Sequence, residues 1–84
     1  VEYTMNITVL FFASLAEKAQ QGQQQLSLAD NLSLSELYTQ LQQQYGFELD
    51  TSKVRVAIND EFASWDDAIN DGDTIAFIPP VAGG

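Results

Sequence analysis

Eighty-four residues carrying a formal charge of −9, with neither cysteine nor histidine, exclude a good deal at once. A chain this short forms one modest core, burying roughly 60% of its unfolded surface, with no room for a large catalytic cleft. Disulfides, zinc–thiolate sites and thiol chemistry on a side chain are ruled out, and the commonest general base and metal ligand is missing.

In chain order, Val1–Thr4 reads as an unpaired leader before Met5. From Asn6 onward, Ile7, Val9 and Phe11 share one face and Thr8, Leu10 and Phe12 the other, a strand rich in β-branched and aromatic residues. Ser14–Gln21 holds good helix formers and meets Gly22, which predicts a short helix stopped by that glycine. Gln25–Leu28 is expected to return as a second strand beside the first.

The strongest pattern is a helix from Ser33 to about Tyr45. Ser33-Leu34-Ser35-Glu36 fits a capping box. Leu34, Leu37, Tyr38, Leu41 and Tyr45 then form one apolar stripe at three- and four-residue spacing, and Gly46 supplies the stop. Val54, Val56 and Ile58 alternate with Arg55 and Ala57 as a half-buried strand that ends in a turn at Asn59-Asp60. Glu61–Ser64 is a candidate partner strand. Asp71-Gly72-Asp73 is another turn, and Thr74–Ile78 the closing strand. No linker or repeat divides this order, which describes a single α+β domain over residues 1–84. One main helix crosses one face of a mixed sheet. The inward members are Ile7, Val9, Phe11, Leu34, Leu37, Leu41, Val54, Val56, Ile58, Ile69, Ile75 and Phe77.

The side chains offer no catalyst. Counted as a calcium loop from Asp67, Gly72 falls correctly at the sixth position, but Ile69 and Ile78 occupy the third and twelfth, where ligands are needed. No metal site is expected. Asp60-Glu61 and Asp66-Asp67 read as turn and cap residues, the serines have no histidine to activate them, and Trp65 reads as a packed aromatic. Twelve acids against Lys18, Lys53 and Arg55 make nucleic acid a poor partner and favour encounter with basic proteins. No apolar run approaches the ~20 residues of a membrane span. No membrane partner is expected, and the expected address is cytoplasmic.

What remains is the end of the sequence. Pro79-Pro80-Val81-Ala82 is a stiff, extended leader to Gly83-Gly84, and residues 79–84 read as a projecting tail. Two residues without Cβ can enter a channel too narrow for any side chain. A carboxylate there becomes reactive once activated, for example as an anhydride with AMP, and then accepts a sulfur or amine nucleophile.

Helix-on-sheet order with a projecting Gly-Gly end resembles the β-grasp fold of ubiquitin-like proteins. Within it, Val9-Leu10-Phe11-Phe12-Ala13 and the ending Asp71-Gly72-Asp73-Thr74-Ile75-Ala76-Phe77-Ile78-Pro79-Pro80-Val81-Ala82-Gly83-Gly84 resemble the small, sulfur-carrying subunit of molybdopterin synthase. The resemblance implies that Gly84, with Gly83, is the reactive site. An E1-like partner would adenylate it with ATP and Mg²⁺, and it would then become a thiocarboxylate. The tail would enter the large catalytic subunit of a heterotetramer and pass sulfur to cyclic pyranopterin monophosphate. The chain itself would bind no cofactor and would contribute to a sulfurtransferase without catalytic side chains. A sulfur carrier of the thiamine-biosynthesis type, a ubiquitin-like protein modifier and a plain interaction module are the alternatives.

Strand alternation adds a docking surface to this reading. Thr8, Leu10, Phe12, Arg55, Ala57, Ala76 and Ile78 fall on the sheet face opposite the helix, and an apolar patch left outside a small domain marks a binding site. Leu10, Phe12 and Ile78 are expected to hold a partner, Arg55 and the acidic rim to set its orientation, and Pro79, Pro80, Val81 and Ala82 to lead the tail into it.

Overall fold

A computed structural model describes residues 4–80. Its first strand, β1 (Thr4–Phe11), buries Met5, Ile7, Val9 and Phe11 and turns Asn6, Thr8 and Leu10 to the other face, as a period of two requires. The strand starts earlier than expected. Thr4 pairs with Ala29 and Met5 with Leu28, so Thr4 belongs to the sheet, and residues 1–3 of the expected leader lie outside the described residues. Met5 accounts for the extension, because its side chain is buried in the core.

The short helix, α1 (Ala13–Ala19), buries Leu15 and Ala19. Gln20, not Gly22, ends it: Gln20 takes the left-handed conformation at φ 59°, and its N–H reaches back to Ala16 and Glu17 carbonyls. The returning strand fixes that early stop, since β2 (Gln23–Ala29) already pairs at Gln23 with Leu10. It runs antiparallel to β1 along its whole length and is longer than the Gln25–Leu28 expected.

The main helix, α2 (Leu34–Tyr45), forms where its pattern places it. Ser33 Oγ accepts from the Glu36 N–H at 3.1 Å and Glu36 Oε1 accepts from the Ser33 N–H at 3.0 Å, the reciprocal capping box. Gly46 closes the helix at φ 75°, a conformation glycine adopts without steric cost. Leu34, Leu37, Tyr38 and Leu41 face inward. A 3₁₀ turn over Thr51–Lys53, started by Asp50, then leads into β3 (Arg55–Ile58). Asn59 and Asp60 both have positive φ, 51° and 72°, the type I′ geometry that suits a tight hairpin. The turn connects β3 to β4 (Glu61–Ala63), and β5 (Thr74–Ile78) closes the domain.

The sheet order is β2-β1-β5-β3-β4. β1 and β5 run parallel at its centre, while the other pairings are antiparallel. Core residues of the strands and of α2 form one cluster, and every residue expected inward belongs to it or, in the case of half-buried Ile58, packs against it. Met5, Leu15, Leu28, Tyr38 and Phe47 join them. Trp65 is packed, as expected, stacked on Phe77 at 5.8 Å and edge-on to Tyr38 at 5.7 Å.

A polar clasp locks the far end of the sheet. The Asp71-Gly72-Asp73 turn, with Gly72 at φ 87°, hydrogen-bonds to β1 through Asn6 N–H to Asp71 Oδ1 (2.7 Å) and Gly72 N–H to the Asn6 carbonyl (2.8 Å). Asp73 is buried, and it accepts from Asn59 Nδ2 at 2.9 Å and from the Asn70 N–H at 2.8 Å. The amide of Asn59 also receives the Thr74 N–H at 2.9 Å. The β3–β4 turn and the start of β5 are therefore held as one piece.

Candidate functional site

Pairing registers line up the open face of the sheet in rows. Gln23, Leu10, Ala76, Ala57 and Phe62 lie side by side across the five strands. One row nearer the end of β5, Ile78 stands opposite Arg55. One row the other way, Gln25, Thr8 and Thr74 are neighbours. Small side chains at Ala57 and Ala76 make a low floor between taller walls. The result is a hollow of about 210 Å³ lined by Leu10, Phe12, Ala57, Asp60, Phe62, Thr74, Ala76 and Ile78. That is smaller than the ~300–1,000 Å³ of small-molecule sites and suits a protruding side chain.

Leu10, Phe12 and Ile78, singled out from alternation, meet in this hollow, together with Ala57 and Ala76. Thr8 shares the face but belongs to its polar half, beside Gln25. Arg55 lies off the lining, with its Cζ 4.0 Å from the centroid of the Phe62 ring. Sequence reading missed Phe62, which is 63% exposed. Hairpin arithmetic could have found it: with a two-residue turn at Asn59-Asp60, Phe62 falls opposite Ala57 and must share its face.

A second, larger cleft of about 520 Å³ adjoins the first through Phe12 and Ile78, and is completed by Ala13, Ser14, Glu17, Pro79 and Pro80. Ala13 has φ 51°, an uncommon conformation for a residue with a Cβ. It turns the chain sharply out of β1, leaving Phe12 46% exposed. Pro79 is buried and Pro80 exposed. Val81, Ala82, Gly83 and Gly84, the other expected tail and site residues, lie outside the described residues.

On the core side, Tyr38 Oη donates to the Leu49 carbonyl at 2.6 Å. Burial, and after it the charge of Asp50, push this phenol up from 10.0 to about 12. The Asp50 carboxyl is held below its ordinary value, first by the hydrogen bond from the Ser52 side chain. Both groups serve local structure, at a distance from the open face. Among the described residues no three His, Cys, Asp or Glu side chains converge as a metal site, and no helix is long and apolar enough to cross a membrane.

By architecture the domain is a ubiquitin-like β-grasp, with an open sheet face hollowed along its last strand as far as Ile78. Residues 9–84 match the ThiS family, and the chain belongs to it. It is 32% identical over 82 residues to the molybdopterin synthase sulfur carrier subunit of Mycobacterium tuberculosis, covering 95% of this chain and 99% of that one. The protein of the same description from Haemophilus influenzae is 35% identical over 82 residues, covering 93% and 99%. Among solved structures, a protein–protein complex of subunits 1 and 2 of molybdopterin-converting factor from Helicobacter pylori contains a chain with 28% identity and a TM-score of 0.66, covering 95% of this chain and 100% of that one.

Proposed function

We propose that this chain is the sulfur-carrying small subunit of a molybdopterin synthase. The observation that carries the proposal is near full-length likeness to two carriers of that description, on a fold whose exposed apolar hollow lies at the root of the tail. Chemistry follows from the terminal carboxylate of Gly84. Attack of that carboxylate on the α-phosphorus of ATP, with Mg²⁺ on an E1-like partner, forms an acyl adenylate and releases pyrophosphate. Hydrosulfide then attacks the acyl carbon, displaces AMP and, after loss of a proton, leaves a thiocarboxylate. The tail delivers this sulfur inside the large catalytic subunit, and the open sheet face docks outside the tunnel. The setting is the cytoplasm and the assembly a heterotetramer.

Intact mass spectrometry tests the proposal after incubation with the adenylating enzyme, ATP, Mg²⁺ and a sulfur donor. The expected result is a mass gain equal to replacing one oxygen by sulfur, and conversion of cyclic pyranopterin monophosphate once the large subunit is added. Thiocarboxylate formation without conversion would instead favour a carrier of the thiamine-biosynthesis type. Ladders of adducts on lysines of other proteins would indicate a modifier.

A further inference from the structure

Phe62 sits on the outermost strand of the sheet with 63% of its surface in water. An exposed aromatic on a short edge strand adds little to the core and marks a contact surface. One side of its environment is already filled, by the Arg55 guanidinium at 4.0 Å from the ring centroid. Arg55 leads β3 and pairs with Ile78, the last residue of β5. Its cation therefore stands on the rim of the hollow, beside the root of the tail.

It is the one arginine of a chain with a formal charge of −9. Lys18 is turned to Glu48 at 3.7 Å, and among the described residues that is the only ion pair, so Arg55 meets no carboxylate there. Contact with an aromatic ring restrains a guanidinium and leaves N–H donors for another group. A carboxylate fits those donors best, because it can accept two parallel bonds from the planar fork.

We infer that Arg55, steadied by Phe62, is a carboxylate receptor on the docking face. It takes an Asp or Glu side chain of the large catalytic subunit while a neighbouring apolar side chain of that subunit settles on Ala57 and Ala76. The identity of the subunit rests on the proposed function. Charge complementarity with the Arg55 guanidinium favours this occupant. The net charge of −9 attracts basic proteins without discrimination. A cation beside the apolar seat singles out a partner with an acid at that one place, and repels a uniformly basic one.

The test is calorimetric binding of the free chain to the purified large subunit, with Arg55→Lys, Arg55→Gln and Arg55→Glu beside the wild type. Arg55→Gln is expected to weaken binding about 10-fold and Arg55→Glu about 100-fold or more. Arg55→Lys falls between wild type and Arg55→Gln, because it keeps the charge and loses the fork. Melting temperatures of all three should match the wild type. Charge reversal of acids on the large subunit should then identify one whose Arg variant restores binding to Arg55→Glu. Such a rescue does not follow from a merely structural role. Wild-type affinity in Arg55→Glu, with Ile78→Asp unable to bind, would remove Arg55 and leave the docking face standing. Weakened binding by Arg55→Glu that no charge reversal rescues would overturn the carboxylate assignment. If the wild-type chain does not bind the large subunit at all, the carrier reading itself fails.

Discussion

The Trp65 indole lies against the Phe77 ring with centroids 5.8 Å apart and planes within 13° of parallel. Phe77 is fully buried and also touches Tyr38 at 5.3 Å, so the loop after β4 is fastened to the central strand by an aromatic stack. Phe77→Ala should cost about 3–5 kcal/mol, the range for removing a buried ring. Trp65 is the only tryptophan, and its emission reports the stack directly. A red shift together with a fall in denaturant midpoint is expected. An unchanged midpoint would show that the ring contributes little to the core.

Ile78 belongs to the same strand and has the opposite expectation. It is half-exposed and lines both the hollow and the tail-root cleft. Ile78→Asp should cost about 2–4 kcal/mol of affinity for the large subunit, as hot-spot losses do. Its effect on folding stability should be about 1 kcal/mol or less, as is usual away from the core. Paired measurements of binding and melting temperature check this. A large melting shift with intact binding would place Ile78 in the core and not on the docking face.

Tyr38 contributes to the alkaline dependence of stability. Its phenol ionises near 10.0 in the unfolded chain and at about 12 in the fold, so the folded state holds its proton more tightly. That contribution is complete below pH 10, and it declines as pH rises from about 10 towards 12, where the unfolded chain releases a proton that the native one keeps. Tyr38→Phe, which leaves the Leu49 carbonyl without its hydroxyl partner, should reduce this dependence. Denaturant midpoints across that window check the sign. A flat profile in the wild type would contradict it.

How much of this was legible in the sequence depends on the range of the interactions. Alternation in β1 and β5 and the stripe of α2 are local patterns, and they fixed the two faces of the sheet and with them Leu10, Phe12 and Ile78. The end of α1 was misread because glutamine seldom takes positive φ, and Gln20 does so only to meet a returning strand. Phe47 follows the helix stop, where no period constrains it, and it is drawn inward by Phe11, Tyr38 and Tyr45. Burial of Asp73 depends on an Asn59 side chain fourteen residues away, which no short-range pattern reports. Phe62 is a different case: its place followed from turn length and alternation, and only the count across the hairpin was missing.

The proposed chemistry is most exposed to test at Gly84. In the proposed complex, a tunnel that admits backbone alone would fix the distance from the docked sheet face to the reacting carbon, and the Pro79-Pro80 pair would transmit that distance with little slack. Deleting Gly84 leaves a carboxylate on Gly83 but withdraws it by about 3.5 Å. Reacting atoms must approach to roughly 3–3.5 Å, so a shortfall of that size removes productive geometry altogether. The shortened chain should melt like the wild type and retain nearly all affinity for the large subunit, because Leu10, Phe12 and Ile78 are untouched. Its conversion of cyclic pyranopterin monophosphate should fall to background. To separate loading from delivery, the variant is assayed as a chemically prepared thiocarboxylate beside the wild-type thiocarboxylate. Equal conversion by the two would refute the tail as a measured reach and place the transfer step under some other control.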